Sequence, residues 1–166
     1  MKSTIKCLIE SNAIIEALGQ GKQTILIRNY KNILDGFLLY PNYRENGNNI
    51  NDFKKEYHSF ARENSDPKAD CPAFEVRYYA TVEEQFEKPA INMATYHIWS
   101  DEYLDNYINS DKIYVWLLRV YKLKQPIMSK RTSGMVYANT EEIVALDDFE
   151  VVISDGEFEG IKNSLK

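Results

Sequence analysis

The sequence is poor in the residues that usually declare a function. Only two cysteines, Cys7 and Cys71, occur in 166 residues, which excludes a disulfide-stapled scaffold and a multi-cysteine zinc module. Only two histidines are present, His58 and His97, and neither stands at a CxxC or HExxH spacing, so no metal and no cofactor is expected. A GxSxG nucleophile elbow and a GxxxxGK(S/T) phosphate loop are both missing. No apolar run approaches the roughly 20 residues that span a bilayer, and no signal-peptide pattern opens the chain. The expectation is a cytoplasmic protein with no membrane contact and reduced thiols, with a Cys7–Cys71 disulfide as the alternative. A basic excess is lacking too, since the formal net charge is −5, which excludes a surface coated for nonspecific duplex binding. With only seven glycines and five prolines there is no convincing linker and no internal repeat. One domain over residues 1–166 follows, large enough to bury roughly 70% of its unfolded surface without staples.

What the chain does have is aromatic residues and short apolar runs. Its organising stretch is Gly19 to Tyr43, where a glycine-punctuated turn feeds the strand-like Thr24–Asn29 and a second run, Phe37–Tyr40, stops at Pro41. Before it, Ile5, Leu8, Ile9, Ile15 and Leu18 approximate a helical stripe ending at Gly19, while a hairpin of Ala13–Leu18 with Thr24–Asn29 is the rival reading. After Pro41, Tyr43–Asn51 has the composition of a long loop. Phe53–Glu63 reads as a short helix, Asn64–Pro72 as a breaker-rich connection, and Phe74–Tyr79 as a strand with one polar side. Thr81 with Glu84 makes a capping box, predicting a helix over Val82–Lys88 halted by Pro89. Ser100 starts another helix, carrying Tyr103, Leu104, Tyr107 and Ile108 at helical spacing. Ile113–Leu123, the most apolar run, reads as a central strand. Phe149–Ile153 reads as a last strand, and Ser154 with Glu157 caps a terminal helix whose inner face is Phe158, Ile161 and Leu165.

Charge is polarised in the C-terminal third. From Arg119 to Thr140 there are five basic residues and no acid, and from Glu141 to Glu159 eight acids and no base. Either the two segments solvate separate faces or the first forms a local surface for an anionic ligand. Tyr114, Trp116 and Tyr121 interleave with Arg119, Lys122 and Lys124, the combination that stacks bases and neutralises phosphates; the bland alternative places the aromatics in the core. His97, among apolar neighbours in YHIWS, is either a packing histidine or a site residue. A magnesium nuclease needs an acid followed by acid–x–lysine. Asp35 with Asp52–Phe53–Lys54 has that order, and so does Glu75–Val76–Arg77 with arginine in place of lysine, but Asp52 falls in a loop rather than on a strand.

The order of ALGQGKQTILIRNY, FLLYPNY, YHIWSDEYL and VWLLRVYKLKQP resembles the domain-of-unknown-function 1802 family of bacteria and archaea. This chain has Asn29, Tyr30 and Lys31 where that family has a lysine and two glycines, and Arg44–Glu45–Asn46 where it has a histidine. The resemblance implies an association with restriction-endonuclease domains, hence DNA restriction or defence and a nuclease partner. GKQTILIR is also similar to the ASCH-type signature of PUA-like domains, matching at Gly21 and Arg28 but carrying Gln23 and Leu26 in place of a lysine and a glutamate. That likeness implies a compact barrel that binds RNA or takes up a flipped base.

The expected fold is therefore α+β, a mixed barrel-like β-sheet with flanking helices, of the PUA-like kind if the second resemblance holds. The expected function is a nucleic-acid-associated module that recognises a nucleotide or modified base. In it Arg28 pairs with phosphate or base edge, Tyr40 and Tyr43 stack, His97 reads an edge, and Arg119, Lys122 and Lys124 neutralise the backbone. A nuclease or nucleotide-processing enzyme, and a protein-interaction subunit with an acidic docking surface, are the alternatives.

Overall fold

The computed structural model describes residues 2–43, 49–68, 70, 72–88, 96–107 and 113–165. Arg44–Asn48, Cys71, Pro89 and Ile108, each part of a sequence expectation, lie outside the described residues. In chain order the elements are β1 (Ser3–Glu10), α1 (Asn12–Gly19), β2 (Ile25–Arg28), β3 (Gly36–Pro41), α2 (His58–Glu63), β4 (Phe74–Lys88), α3 (Asp101–Tyr107), β5 (Ile113–Ser129), β6 (Tyr137–Ala145), β7 (Glu150–Val151) and α4 (Asp155–Ser164). Two single 3-10 turns, Ile50–Asp52 and Lys55–Tyr57, precede α2.

The strands form one mixed sheet of seven, ordered β2-β5-β4-β3-β1-β6, with β7 paired to β5. β1 and β3 run parallel, Cys7 opposite Leu38 and Ile9 opposite Tyr40, and the other pairs are antiparallel. The expected α+β architecture is present, but the sheet is not closed into a barrel. An isolated bridge between Arg131 and Thr140 brings the turn after β5 back toward β6 without extending into a strand pair.

Alternation along the strands divides the interior in two. Leu8 of β1 and Phe37 and Leu39 of β3 enter a large core shared with α1, with Ala61 of α2, with Phe158 of α4 and with Leu165 just after that helix. Cys7 and Ile9, with Leu38 and Tyr40, point the other way into a smaller core completed by Val76, Leu123, Ala138 and Val144.

Two sequence expectations are corrected here. The N-terminal stripe is a strand followed by a helix: Cys7, Leu8 and Ile9 are all buried, because β1 lies inside the sheet with both faces covered, and a run apolar on both faces does not alternate. The part that is helical, α1, is buried over Asn12–Leu18 on every side, and its first amide, Asn12 N–H, donates to Asp66 Oδ1 at 2.6 Å. A carboxylate at that end complements the positive pole of the helix. Val82–Lys88 is not a helix either; it continues β4, with Gln85 opposite Trp116 and Glu87 opposite Tyr114. The gain from pairing with the most apolar strand exceeds the capping signal of Thr81 and Glu84. Bulges between Val76 and Tyr78 and between Val82 and Glu84 bend this long antiparallel pair.

Candidate functional site

The seven residues expected to form the site are distributed over different parts of the fold. Arg28, at the end of β2, is 7% exposed; its guanidinium pairs with Glu10 at the end of β1 and lies over the Trp116 ring, 5.8 Å from the centroid. Arg119 donates to Ile153 O at 3.0 Å and Asp155 Oδ1 at 2.6 Å and covers the Phe158 ring at 4.6 Å, so it fastens α4 to β5. Lys122 is exposed, and Lys124 faces Asp148 across 3.4 Å of solvent-exposed surface. His97 is buried. Burial first, and then the neighbouring Lys54 ammonium, lower its pKa to about 4, with Asp101 and the Trp99 backbone acting in the opposite sense. It is therefore a neutral imidazole at pH 7, packed 5.6 Å from the Trp99 ring.

Of the seven, Tyr40 and Tyr43 meet directly. Their hydroxyls are 2.6 Å apart, Tyr40 O–H donates to Ser129 O at 2.6 Å, and the rings cross edge to face at 6.1 Å. Burial raises the Tyr40 phenol well above its ordinary pKa, reinforced by the hydrogen bond with Tyr43. Arg131, from the acid-free run, lies over both rings, 5.5 Å from Tyr40 and 5.1 Å from Tyr43.

The concave feature with the strongest ligand chemistry is elsewhere, on the side of the sheet carrying the larger core. An open cleft of about 350 Å3 lies between the start of β6, the β2–β3 loop and the turn after β5. Ile33, Leu34, Tyr137 and Ala138 line it with apolar groups. Lys6, Thr132, Ser133 and Asn139 supply polar groups around it. Tyr137 positions the loop as well as lining the cleft: its hydroxyl donates to Asn32 Oδ1 at 2.6 Å and accepts from Ile33 N–H at 3.2 Å, which ties the loop to the sheet. Burial raises the Tyr137 pKa, opposed by the Ile33 amide. Thr132 Oγ1 accepts from Asn139 N–H at 2.9 Å, leaving its own hydroxyl proton to donate.

Among the described residues no acid lines this cleft, in a chain of 25 acids and 20 bases. Two other clefts lack that bias. One, of about 540 Å3, sets Lys54, Lys55 and His58 against Glu56, Asp101 and Glu102; the other sets Lys124 against Asp147 and Asp148. The carboxylates considered for a nuclease do not converge: among the described residues no three His, Cys, Asp or Glu side chains group as they would to hold a metal. The signal that would have found the cleft was the acid-free run ending at Thr140, which contains Thr132, Ser133, Tyr137 and Asn139. Lys6 and Ile33 gave no signal, being brought there by the sheet.

Comparison with known proteins gives one match. The model of a family described as a domain of unknown function, DUF1802, covers residues 7–164. No curated protein and no solved structure matches the chain.

Proposed function

The chain belongs to the DUF1802 family, a domain of unknown function, and we propose that it is a cytoplasmic, nucleic-acid-associated module that takes a nucleotide or modified base into the cleft beside Tyr137. The observation that carries this reading is the composition of the cleft: a lysine, two aliphatic hydroxyls and an amide beside apolar groups, with no carboxylate among the described residues. Ligand pockets pair apolar walls with a few placed polar groups in this way. Lys6 is exposed and no ion pair holds its ammonium among the described residues, so its charge is available to a phosphate. The Asn139 amide carries both donors and an acceptor for a base edge, and Tyr137 with Ile33 offers the flat and apolar contact that a base face requires, worth about 1–3 kcal/mol per stacked base. A part in DNA restriction beside a nuclease partner is the cellular setting this reading favours, on the strength of the family resemblance.

The test is anisotropy with labelled single-stranded and duplex DNA and RNA, with and without modified bases, over a salt series. Affinity is expected to fall with salt. Lys6→Ala should weaken all sequences alike and reduce the salt slope by about one, whereas Asn139→Ala should relax base preference. Absence of binding to every probe at low salt overturns the proposal.

A further inference from the structure

We propose a second site on the opposite side of the sheet, where Arg131 held against Tyr40 and Tyr43 binds a phosphate group. It stands apart from the cleft reading, because Tyr40 belongs to the smaller core and Tyr137 packs on the larger one.

Among the described residues Arg131 is held differently from the other buried and half-buried arginines. Arg28 faces Glu10, Arg77 faces Glu16, and Arg119 faces Asp155. Arg131 is half-buried, yet no carboxylate among the described residues lies within ion-pair distance of it. Two tyrosine faces hold it instead, and ring faces attract a cation without accepting its hydrogen bonds in the plane of the fork. A guanidinium carries five N–H donors. One protein acceptor is in place, Thr132 O at 3.0 Å from Nη1, and Nε is buried without a partner.

An Nε–H held in the interior without an acceptor is unfavourable. A planar fork held rigid by aromatic rings is also the geometry that recognises phosphate oxygens two at a time. The segment reinforces the preference. Arg131 follows Lys130, which is exposed, inside the acid-free run that ends at Thr140, so an incoming anion meets no like charge from its own segment. Tyr43 contributes its hydroxyl to Tyr40, which fixes the corner in which the guanidinium sits.

The experiment is an NMR titration of the full chain with inorganic phosphate, dimethyl phosphate and acetate, following the Arg131 Nε–Hε and Tyr43 ring resonances. A saturable shift with phosphate is expected, with a Kd on the order of 1 mM for a single small anion. Arg131→Lys keeps the charge without the fork and should weaken binding about tenfold, and Arg131→Ala should abolish the Tyr43 shift. Tyr43→Phe, which keeps the ring, should bind. Saturable binding of dimethyl phosphate assigns the site to a phosphodiester backbone, and binding of inorganic phosphate alone assigns it to a terminal phosphate. Equal response to acetate, an unchanged Kd in folded Arg131→Lys, or no saturable shift with either phosphate overturns the proposal.

Discussion

Arg28 and Arg131 both lie over aromatic rings, but one is neutralised and the other is not. Arg28 is deep, with Trp116 beneath it and Glu10 opposite; Arg131 is half-buried, with two tyrosines beneath it and no carboxylate in reach among the described residues. The first arrangement satisfies a charge within the protein, and the second leaves a charge for something outside it. In this fold an arginine's partner, rather than its burial or its aromatic neighbour, separates a structural role from a binding one.

The contrast can be broken at its stronger end. Glu10→Ala would remove the carboxylate that faces the buried Arg28 guanidinium, and should cost up to about 3–5 kcal/mol in urea unfolding, whereas pairing Arg28→Met with Glu10→Leu should recover most of that loss. Equal stability of Glu10→Ala and the parent would mean that Arg28 does not depend on Glu10.

His97 represents a third treatment of a buried base, which is to remain neutral. Its folded pKa of about 4 lies below the ordinary value of 6.5. The unfolded chain therefore takes up a proton as the pH falls below about 6.5 while the folded protein does not, so this contribution is complete above that pH and is lost progressively down to about pH 4. Replacing it by His97→Gln should flatten the fall in stability across that window by up to about 3 kcal/mol relative to the parent. Parallel pH profiles of the two proteins would count against the burial.

Arg131→Ala, by comparison, should change stability by about 1 kcal/mol or less, because it removes only ring contacts and one hydrogen bond. A loss as large as that of Glu10→Ala would place Arg131 among the structural arginines. The smallest effect is expected at Lys124→Ala: the Lys124 and Asp148 side chains are 64% and 75% exposed, so thermal unfolding should register a change within about 0.5 kcal/mol.

Much of the fold was readable where local chemistry decides the outcome. Ser154 Oγ accepts from Glu157 N–H as a capping box should, Ser100 Oγ accepts from Tyr103 N–H at the start of α3, and β2, β3 and the central β5 fall where their apolar runs lie. Thr81 and Glu84 make the same local signature as Ser154 and Glu157. They fail because Val82–Lys88 has a long apolar strand beside it, a partner beginning 25 residues further along the chain at Ile113. β1 was hidden for the related reason that a strand covered on both faces has no period-two pattern.

The site was less legible for a different physical reason. Arg28, His97 and Arg119 have the residue types of a binding site, but each is engaged with groups far away in sequence: Glu10 for Arg28, Lys54 beside His97, Asp155 for Arg119. The cleft in turn is assembled from Lys6, Ile33 and the turn after β5, which only the order β3-β1-β6 brings together. What could be read was the absence of acids between Arg119 and Thr140, and the cleft and Arg131 both draw on that segment.

The most direct test of the account is to map where a nucleic acid touches the protein. Backbone amide shifts should be recorded during titration with a short single-stranded oligonucleotide at low salt. Saturable shifts are expected to concentrate at Ile33, Leu34, Thr132, Ser133 and Asn139, and to be lost in Lys6→Ala at a salt concentration where the parent still binds. Shifts centred instead on the Lys54–Asp101 cleft, or no shifts at any concentration, would contradict it.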